Sequence, residues 1–144
     1  MAELLFVRTR SVSGWFIRAI TGDRFDHIAV RVGVNVYEVW FDHLVYVPYH
    51  EYKPKIVDRL VLCDNTRNHL VHGWLSENEF RPYDFIKTLS WPARKWLKLN
   101  SPHAINCVEM AIEIMLVLGY IIKDKFNYKP KELYEEAKRV ILKE

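Results

Sequence analysis

Residues 26–41 read DHIAVRVGVNVYEVWF, and they predict the hairpin from which the rest of the fold can be worked out. Two runs rich in β-branched and aromatic residues, Ile28–Val32 and Val36–Phe41, flank the break Gly33-Val34-Asn35. Such runs are typical of strands, and a short break that contains glycine is typical of a hairpin turn. The stretch therefore predicts two antiparallel strands.

Further strands are predicted on both sides of this hairpin. Apolar runs at Leu4–Val7, Leu44–Val47 and Lys55–Cys63 have the composition of strands, and Pro48 ends the second of them. Together with the hairpin they predict an antiparallel sheet of about four or five strands in the N-terminal half.

Helical patterns occur once before the hairpin and repeatedly after it. The predicted helices are Gly14–Ile20, Thr66–Phe80 with Asn65 or Thr66 as its cap, Tyr83–Ser90, Asn106–Leu118 and Pro130–Leu142. The fourth is the clearest, because Asn106 and Glu109 form a capping-box pattern and Gly119 stands at the C-cap position. It is apolar nearly all round, which predicts a buried helix. Strands followed by separate helices indicate an α+β domain.

The composition fits one globular domain over residues 1–144. Half of the residues are hydrophobic, which excludes a disordered chain, and the length is enough to bury a core without disulfides or a structural metal. Two cysteines are too few for a disulfide scaffold or a zinc site, and neither a metal nor a cofactor is predicted. The net charge of +3, from 21 basic and 18 acidic residues, does not indicate a nucleic-acid partner.

No segment has the pattern of a membrane span or of a signal peptide. The longest apolar stretch, Met110–Ile122, contains Glu113 and Gly119 and is shorter than the roughly 20 residues that a span requires. The first residues lack a basic region and a long apolar region. We therefore expect a cytoplasmic protein with reduced thiols, while a virion or a host-cell envelope stays open as a location.

Cys107 is the first candidate for chemistry. It follows the expected N-cap Asn106 in the first turn of the buried helix, where the helix dipole and unpaired backbone N–H groups favour a thiolate. The same N–H groups can hold an oxyanion during acyl transfer. The alternative interpretation is that Cys107 is simply a small buried hydrophobic residue.

His27 and Glu38 are candidates for a base and for the residue that orients it. His27 enters an apolar strand, and Glu38 is the one acid within Val36–Trp40. A cysteine nucleophile needs a base within hydrogen-bond reach and a group that orients the base. A two-residue turn at Val32-Gly33 or at Gly33-Val34 puts His27 and Glu38 on one face of the hairpin, whereas a three-residue turn puts them on opposite faces.

Five stretches, in this order, resemble the circularly permuted NlpC-type papain-like cysteine hydrolases, a set that includes the lecithin:retinol acyltransferase group. The matching stretches are Phe25-Asp26-His27-Ile28-Ala29-Val30, Val36-Tyr37-Glu38-Val39, Tyr83-Asp84-Phe85, Asn106-Cys107-Val108-Glu109 and Lys129-Pro130-Lys131-Glu132-Leu133-Tyr134. They span residues 25–134, and their order and spacing carry the match.

The resemblance implies a circularly permuted papain-like fold and a thiol hydrolase, a peptidase or amidase that cleaves an amide or acyl bond. It implies Cys107 as the nucleophile, His27 as the general base and Glu38 as the orienting residue. The family often has Ser directly after the nucleophile, whereas this chain has Val108. The expected partner is a peptide, amide or acyl substrate.

Three further residues are accessory candidates for the same site. Tyr83 lies in one of the matching stretches, and Asn106 directly precedes the nucleophile. His103 stands four residues before Cys107 and is a reserve base. His69 and His72 have the spacing of a metal pair, but no further ligand stands at a fitting distance along the chain.

The segment Trp91–Leu99 combines two tryptophans with the cations Arg94, Lys95 and Lys98. Such a mixture is found on elements that touch a lipid membrane or another anionic surface, which would make this segment a weak membrane contact. It is also found on amphipathic elements whose aromatic rings pack on the core while the cations stay in water. The second interpretation is favoured.

An inactive module is the alternative to an enzyme. The same fold can serve as a binding or structural module, for example in a virion or a cell envelope, because a fold does not by itself imply catalysis. The departure from the family pattern at Val108 motivates this alternative.

Overall fold

A computed structural model of the chain describes most of the sequence. The described residues are 1–11, 14–15, 18–19, 22–39, 43–82, 105–123 and 128–142. The predicted helix Tyr83–Ser90 and the segment Trp91–Leu99 lie outside them, and so do Tyr83 and His103. The predicted helix Gly14–Ile20 is described only at residues 14, 15, 18 and 19, which have helical backbone.

Five antiparallel strands form one sheet in the N-terminal half. The strands are β1 (Ala2–Val7), β2 (His27–Val32), β3 (Asn35–Val39), β4 (Leu44–Pro48) and β5 (Ile56–Cys63). Their order across the sheet is β4-β3-β2-β1-β5, and every neighbouring pair is antiparallel. The longer helices follow the sheet in the chain, so the prediction of an α+β fold with such a sheet is confirmed.

A two-residue turn joins β2 to β3. Val32 pairs with Asn35, so only Gly33 and Val34 lie between the strands. Gly33 has a φ of 61°. In the described part of the chain only glycines have a positive φ. In a type II′ turn only the first of the two turn residues has a positive φ, and glycine is favoured at that position, as seen for Gly33. The predicted break Gly33-Val34-Asn35 is one residue too long, because Asn35 already belongs to the ladder.

Two helices, α2 (Asn68–Glu77) and α3 (Cys107–Val117), contact the sheet and each other. Alternate residues of β2, namely Ile28, Val30 and Val32, join α3 in the main core. Most of α3 is buried, which confirms the prediction of a buried helix, and its ends lie within one residue of the predicted ones. No helix in the described ranges is long and apolar enough to cross a membrane.

A smaller apolar cluster lies around the opposite side of the β2 pleat. It contains Leu5, Val7, Ala29, Val36 and Tyr52. Tyr52 reaches this cluster from a single helical turn, α1 (Tyr49–Tyr52), which follows Pro48 and was not predicted. Ala29 and Val36 have the same parity as His27 and Glu38 along their strands, so this cluster and the candidate residues share one face.

The N-terminus of α2 differs from the prediction. A 3-10 turn (Asn65–Arg67) precedes the helix, and its cap is Asp64, whose carboxylate accepts a hydrogen bond from the Thr66 N–H at 3.0 Å. The predicted caps Asn65 and Thr66 are therefore wrong, because the earlier acid occupies that role. The helix ends at Glu77 rather than Phe80, since the Asn78 side chain donates to the Trp74 carbonyl at 2.8 Å and closes the last turn.

The last helix, α4 (Pro130–Ile141), begins at Pro130 as predicted and ends one residue early. Its buried positions include Leu133 and Ala137, which belong to the predicted apolar stripe. The Tyr134 hydroxyl donates to the Asp58 carboxylate at 2.7 Å, and this hydrogen bond ties α4 to β5.

A complete capping box fixes the start of α3. The side-chain oxygen of Asn106 accepts from the Val108 and Glu109 N–H groups, each at 2.9 Å, and Glu109 accepts from the Asn106 N–H at 3.1 Å. All three groups are buried, so a lost partner would leave a backbone donor without water. The predicted capping box is confirmed.

We expect Asn106→Ala to lower the free energy of unfolding by about 1–2 kcal/mol, because it removes the acceptor for two buried N–H groups. Asn106→Ser is the matched control, since serine keeps an acceptor oxygen and is an equally good N-cap. Urea denaturation of the three proteins measures the difference. Equal stability of the alanine variant and the natural protein would contradict the proposed importance of this cap.

Candidate active site

The hairpin brings His27 and Glu38 together. The pairing of Val30 with Tyr37, continued by one residue, sets Glu38 opposite Ala29 and diagonal to His27. This is the register of the two-residue turn at Gly33-Val34, in which both side chains share a face. His27 Nε2 lies 3.1 Å from Glu38 Oε2, and the two side chains are 14% and 12% exposed.

Cys107 meets the same histidine from α3. It is the first residue of that helix, and it interacts electrostatically with His27. Glu38 holds Nε2 of the ring, so Nδ1 is the nitrogen left for the thiol. Residues 27, 38 and 107, which are far apart in the chain, therefore form one chain of contacts with the imidazole in the middle.

The charges around His27 favour the imidazolium. Burial alone lowers the pKa of His27, but negative charge on Cys107, the hydrogen bond with that residue and the contact with Glu38 act in the opposite direction. Together they raise the pKa of His27 from 6.5 to about 10. The ring is thus suited to hold a proton at neutral pH.

Tyr52 is a fourth member of the site, and the sequence did not reveal it. Its hydroxyl donates to Glu38 Oε2 at 2.8 Å, and the residue is 1% exposed. Burial and the negative charge of Glu38 raise the pKa of Tyr52, so the phenol keeps its proton. Tyr52 lies in an unpredicted helical turn between two strands, and no local pattern in the sequence marks it.

The first turn of α3 offers one backbone donor beside the thiol. The N–H groups of Val108 and Glu109 are engaged by Asn106. In the described part of the chain, the Cys107 N–H has no hydrogen-bond acceptor. Among the described residues of this turn, the Val108 and Glu109 N–H groups serve the helix cap, and the Cys107 N–H is the donor that the cap does not use.

Each of the other candidate residues either has a different contact or lies outside the described residues. Asn106 serves as the helix cap, and its side-chain oxygen is occupied by that task. Tyr83 and His103 lie outside the described residues. His69 contacts the Thr66 carbonyl at 2.9 Å and His72 lies edge-on to Tyr37, and no group of three potential metal ligands comes together within the described ranges.

Both cysteines are free thiols within the core. Cys107 is 1% exposed and Cys63 is 4% exposed. Cys63 lies at the end of β5, 4.0 Å from the Asn68 side-chain oxygen. Among the residues that the structure describes, Cys107 interacts with His27, whereas Cys63 contacts Asn68, so Cys63 can serve as an internal reference for thiol reactivity.

We expect the His27 ring to titrate far above 6.5, with a pKa of about 10, in the folded protein. Cys107→Ala and Glu38→Gln should each lower that pKa, because each removes an interaction that favours the imidazolium. NMR of the His27 ring resonances over pH measures these values in the natural protein and in both variants. A His27 pKa near 6.5 in the natural protein would contradict the coupling.

Protonation of His27 also affects the stability of the folded protein. A group whose pKa is higher in the folded state than in the unfolded state stabilises the fold while both states are protonated. The contribution of His27 is therefore complete below pH 6.5 and is lost as the pH rises toward 10.

No known protein family, curated protein or solved structure matches this chain. The functional assignment accordingly depends on the arrangement of Cys107, His27 and Glu38 described above.

Proposed function

We propose that the protein is a thiol hydrolase on a circularly permuted papain-like fold, a peptidase or amidase that cleaves an amide or acyl bond. The observation that carries this proposal is the position of His27 between Cys107 and Glu38. A nucleophile, a base and a group that orients the base are the parts that covalent acyl transfer requires.

The first half of the reaction forms an acyl-enzyme. The Cys107 sulfur attacks the carbonyl carbon of the substrate while His27 holds the thiol proton. The carbonyl oxygen becomes an oxyanion, and the Cys107 N–H donates to it at the positive end of α3. When the tetrahedral species collapses, the bond to the leaving group breaks and His27 delivers its proton to that group.

The second half releases the acyl group. His27, now neutral, takes a proton from water, and the resulting hydroxide attacks the thioester carbon. Collapse of the second tetrahedral species breaks the carbon–sulfur bond, gives the carboxylic acid and returns the thiolate beside the imidazolium. Glu38 keeps Nε2 of the ring occupied throughout, so Nδ1 faces the sulfur and the substrate.

A non-catalytic module on the same fold is the second candidate function. The burial of Cys107 favours it, because a nucleophile with 1% exposure has little surface to offer a substrate. A structural thiol of this kind reacts slowly and with an ordinary pKa. Thiol reactivity therefore separates the two functions.

We expect iodoacetamide to alkylate Cys107 readily at pH 6.5, where the thiolate is stabilised by the His27 imidazolium. His27→Ala should slow the reaction by about a hundredfold at that pH, since an ordinary thiol with a pKa of about 8.5 is only about 1% thiolate there. Mass spectrometry of the intact protein and of its peptides measures the rate at each cysteine.

Cys63 provides the control in the same molecule. Its alkylation rate should be low and should not respond to His27→Ala, because in the described residues its contact is Asn68 rather than His27. An inert Cys107, or one that reacts equally in both proteins, would reject the hydrolase and leave the non-catalytic module.

An activated ester tests the acyl-transfer step itself. We expect p-nitrophenyl acetate to release one equivalent of nitrophenolate in a burst and to leave an acetyl group on Cys107, because sulfur attack breaks the ester C–O bond. Stopped-flow absorbance and peptide mass spectrometry detect the two products. Cys107→Ala should abolish the burst while circular dichroism shows a folded protein; an unchanged burst would exclude Cys107 as the nucleophile.

A further inference from the structure

One oxygen of Glu38 is shared by two donors. Oε2 lies 3.1 Å from His27 Nε2 and accepts the Tyr52 hydroxyl at 2.8 Å. The two donors come from different elements, β2 and α1, and they approach the same atom. A phenol therefore helps to fix the carboxylate oxygen that faces His27.

We propose that Tyr52 is a positioning residue, which fixes Glu38 Oε2 against His27 and so maintains the thiolate of Cys107. This inference rests on the proposed function, and it adds a residue that the triad logic does not contain. Tyr52 touches neither a substrate nor the reacting sulfur in this scheme; it acts through Glu38.

Tyr52 is suited to this task because its protonated hydroxyl donates to the carboxylate. Its ring is packed with Leu5, Val7, Ala29 and Val36 in the smaller apolar cluster, so the side chain is fixed in place. The phenol keeps its proton in this buried and negatively charged surrounding. A hydrogen bond from a neutral hydroxyl to a carboxylate stabilises the charged form of the acid.

The neighbouring elements define the other charges that act on this carboxylate. His27 faces it from β2, Tyr52 from α1, and the charge of Cys107 reaches both from α3. The Lys55 ammonium lies 5.1 Å from the centre of the Tyr52 ring, on the 3-10 segment that follows α1. Negative charges thus stand at both ends of the chain of contacts, and the imidazolium lies between them.

Loss of the Tyr52 hydroxyl should change the protonation of Glu38 in one direction. Glu38 would keep its buried position but lose a donor, and a less stabilised carboxylate accepts a proton more easily. Protonation of Glu38 removes the charge that supports the imidazolium, and a weaker imidazolium supports the thiolate less. The thiolate would therefore form at a higher pH.

The test compares Tyr52→Phe with Tyr49→Phe in the full chain. Both variants remove one hydroxyl from α1, but Tyr49 contacts Arg31 through its ring, which phenylalanine retains. We expect Tyr52→Phe to move the acid limb of the Cys107 alkylation profile upward by about one pH unit. This shift corresponds to the loss of one hydrogen bond to a charged group. Tyr49→Phe should leave the profile unchanged.

A second pair of proteins tests whether Tyr52 acts through Glu38. In the Glu38→Gln background the carboxylate charge is already gone, so Tyr52→Phe should add no further shift. A purely structural role would add its effect in both backgrounds. Replacement of Tyr52 by 3-fluorotyrosine keeps the packing and strengthens the donor, and it should move the acid limb to lower pH.

The outcomes separate this inference from the function on which it rests. If the natural protein shows a thiolate that depends on His27, but Tyr52→Phe and the fluorinated protein share its profile, Tyr52 is not a positioning residue and the hydrolase proposal stands. If the natural Cys107 is an ordinary thiol, both proposals fail together. If Tyr52→Phe does not fold, the fluorinated protein alone decides, since its ring fills the same space.

Discussion

The register of the β2–β3 hairpin is the constraint on which the rest of the site depends. Side chains alternate across a strand, so a slip of one residue would carry Glu38 to the face opposite His27. Gly33 prevents that slip, because its positive φ allows the two-residue turn in which Asn35 already pairs with Val32. The contact between base and carboxylate is thus a consequence of turn geometry.

The cap of α3 fixes the position of the Cys107 sulfur in a similar way. Asn106 takes the second and third N–H groups of the helix and leaves the first, that of Cys107, beside the thiol. The same side chain that stabilises the helix end therefore selects which amide remains for an oxyanion. Both positioning devices, the turn and the cap, use backbone geometry, which holds a side chain more firmly than a loop does.

Local patterns were enough to predict the sheet, the buried helix and the capping box, because alternation, helical period and cap residues act over a few neighbouring positions. The same reasoning selected Cys107, His27 and Glu38, but it left the register open, since turn length is settled by the full ladder. It placed the cap of the helix before α2 at Asn65 or Thr66, one or two residues after the actual cap Asp64. The sequence did not reveal Tyr52, because the partner of its hydroxyl lies on the separate strand β3 and α1 has no periodic signal.

The chain of contacts runs from Tyr52 in the smaller apolar cluster through Glu38 and His27 to Cys107 in the main core. A buried carboxylate and imidazolium cost desolvation free energy, and apolar residues of similar size would fill this space at lower cost. Sequences tend to break local rules of this kind at functional sites. A thiol that serves only packing needs no charged partner. A nucleophile needs a partner that holds its proton nearby. The buried charges beside Cys107 therefore favour acyl transfer over a structural role.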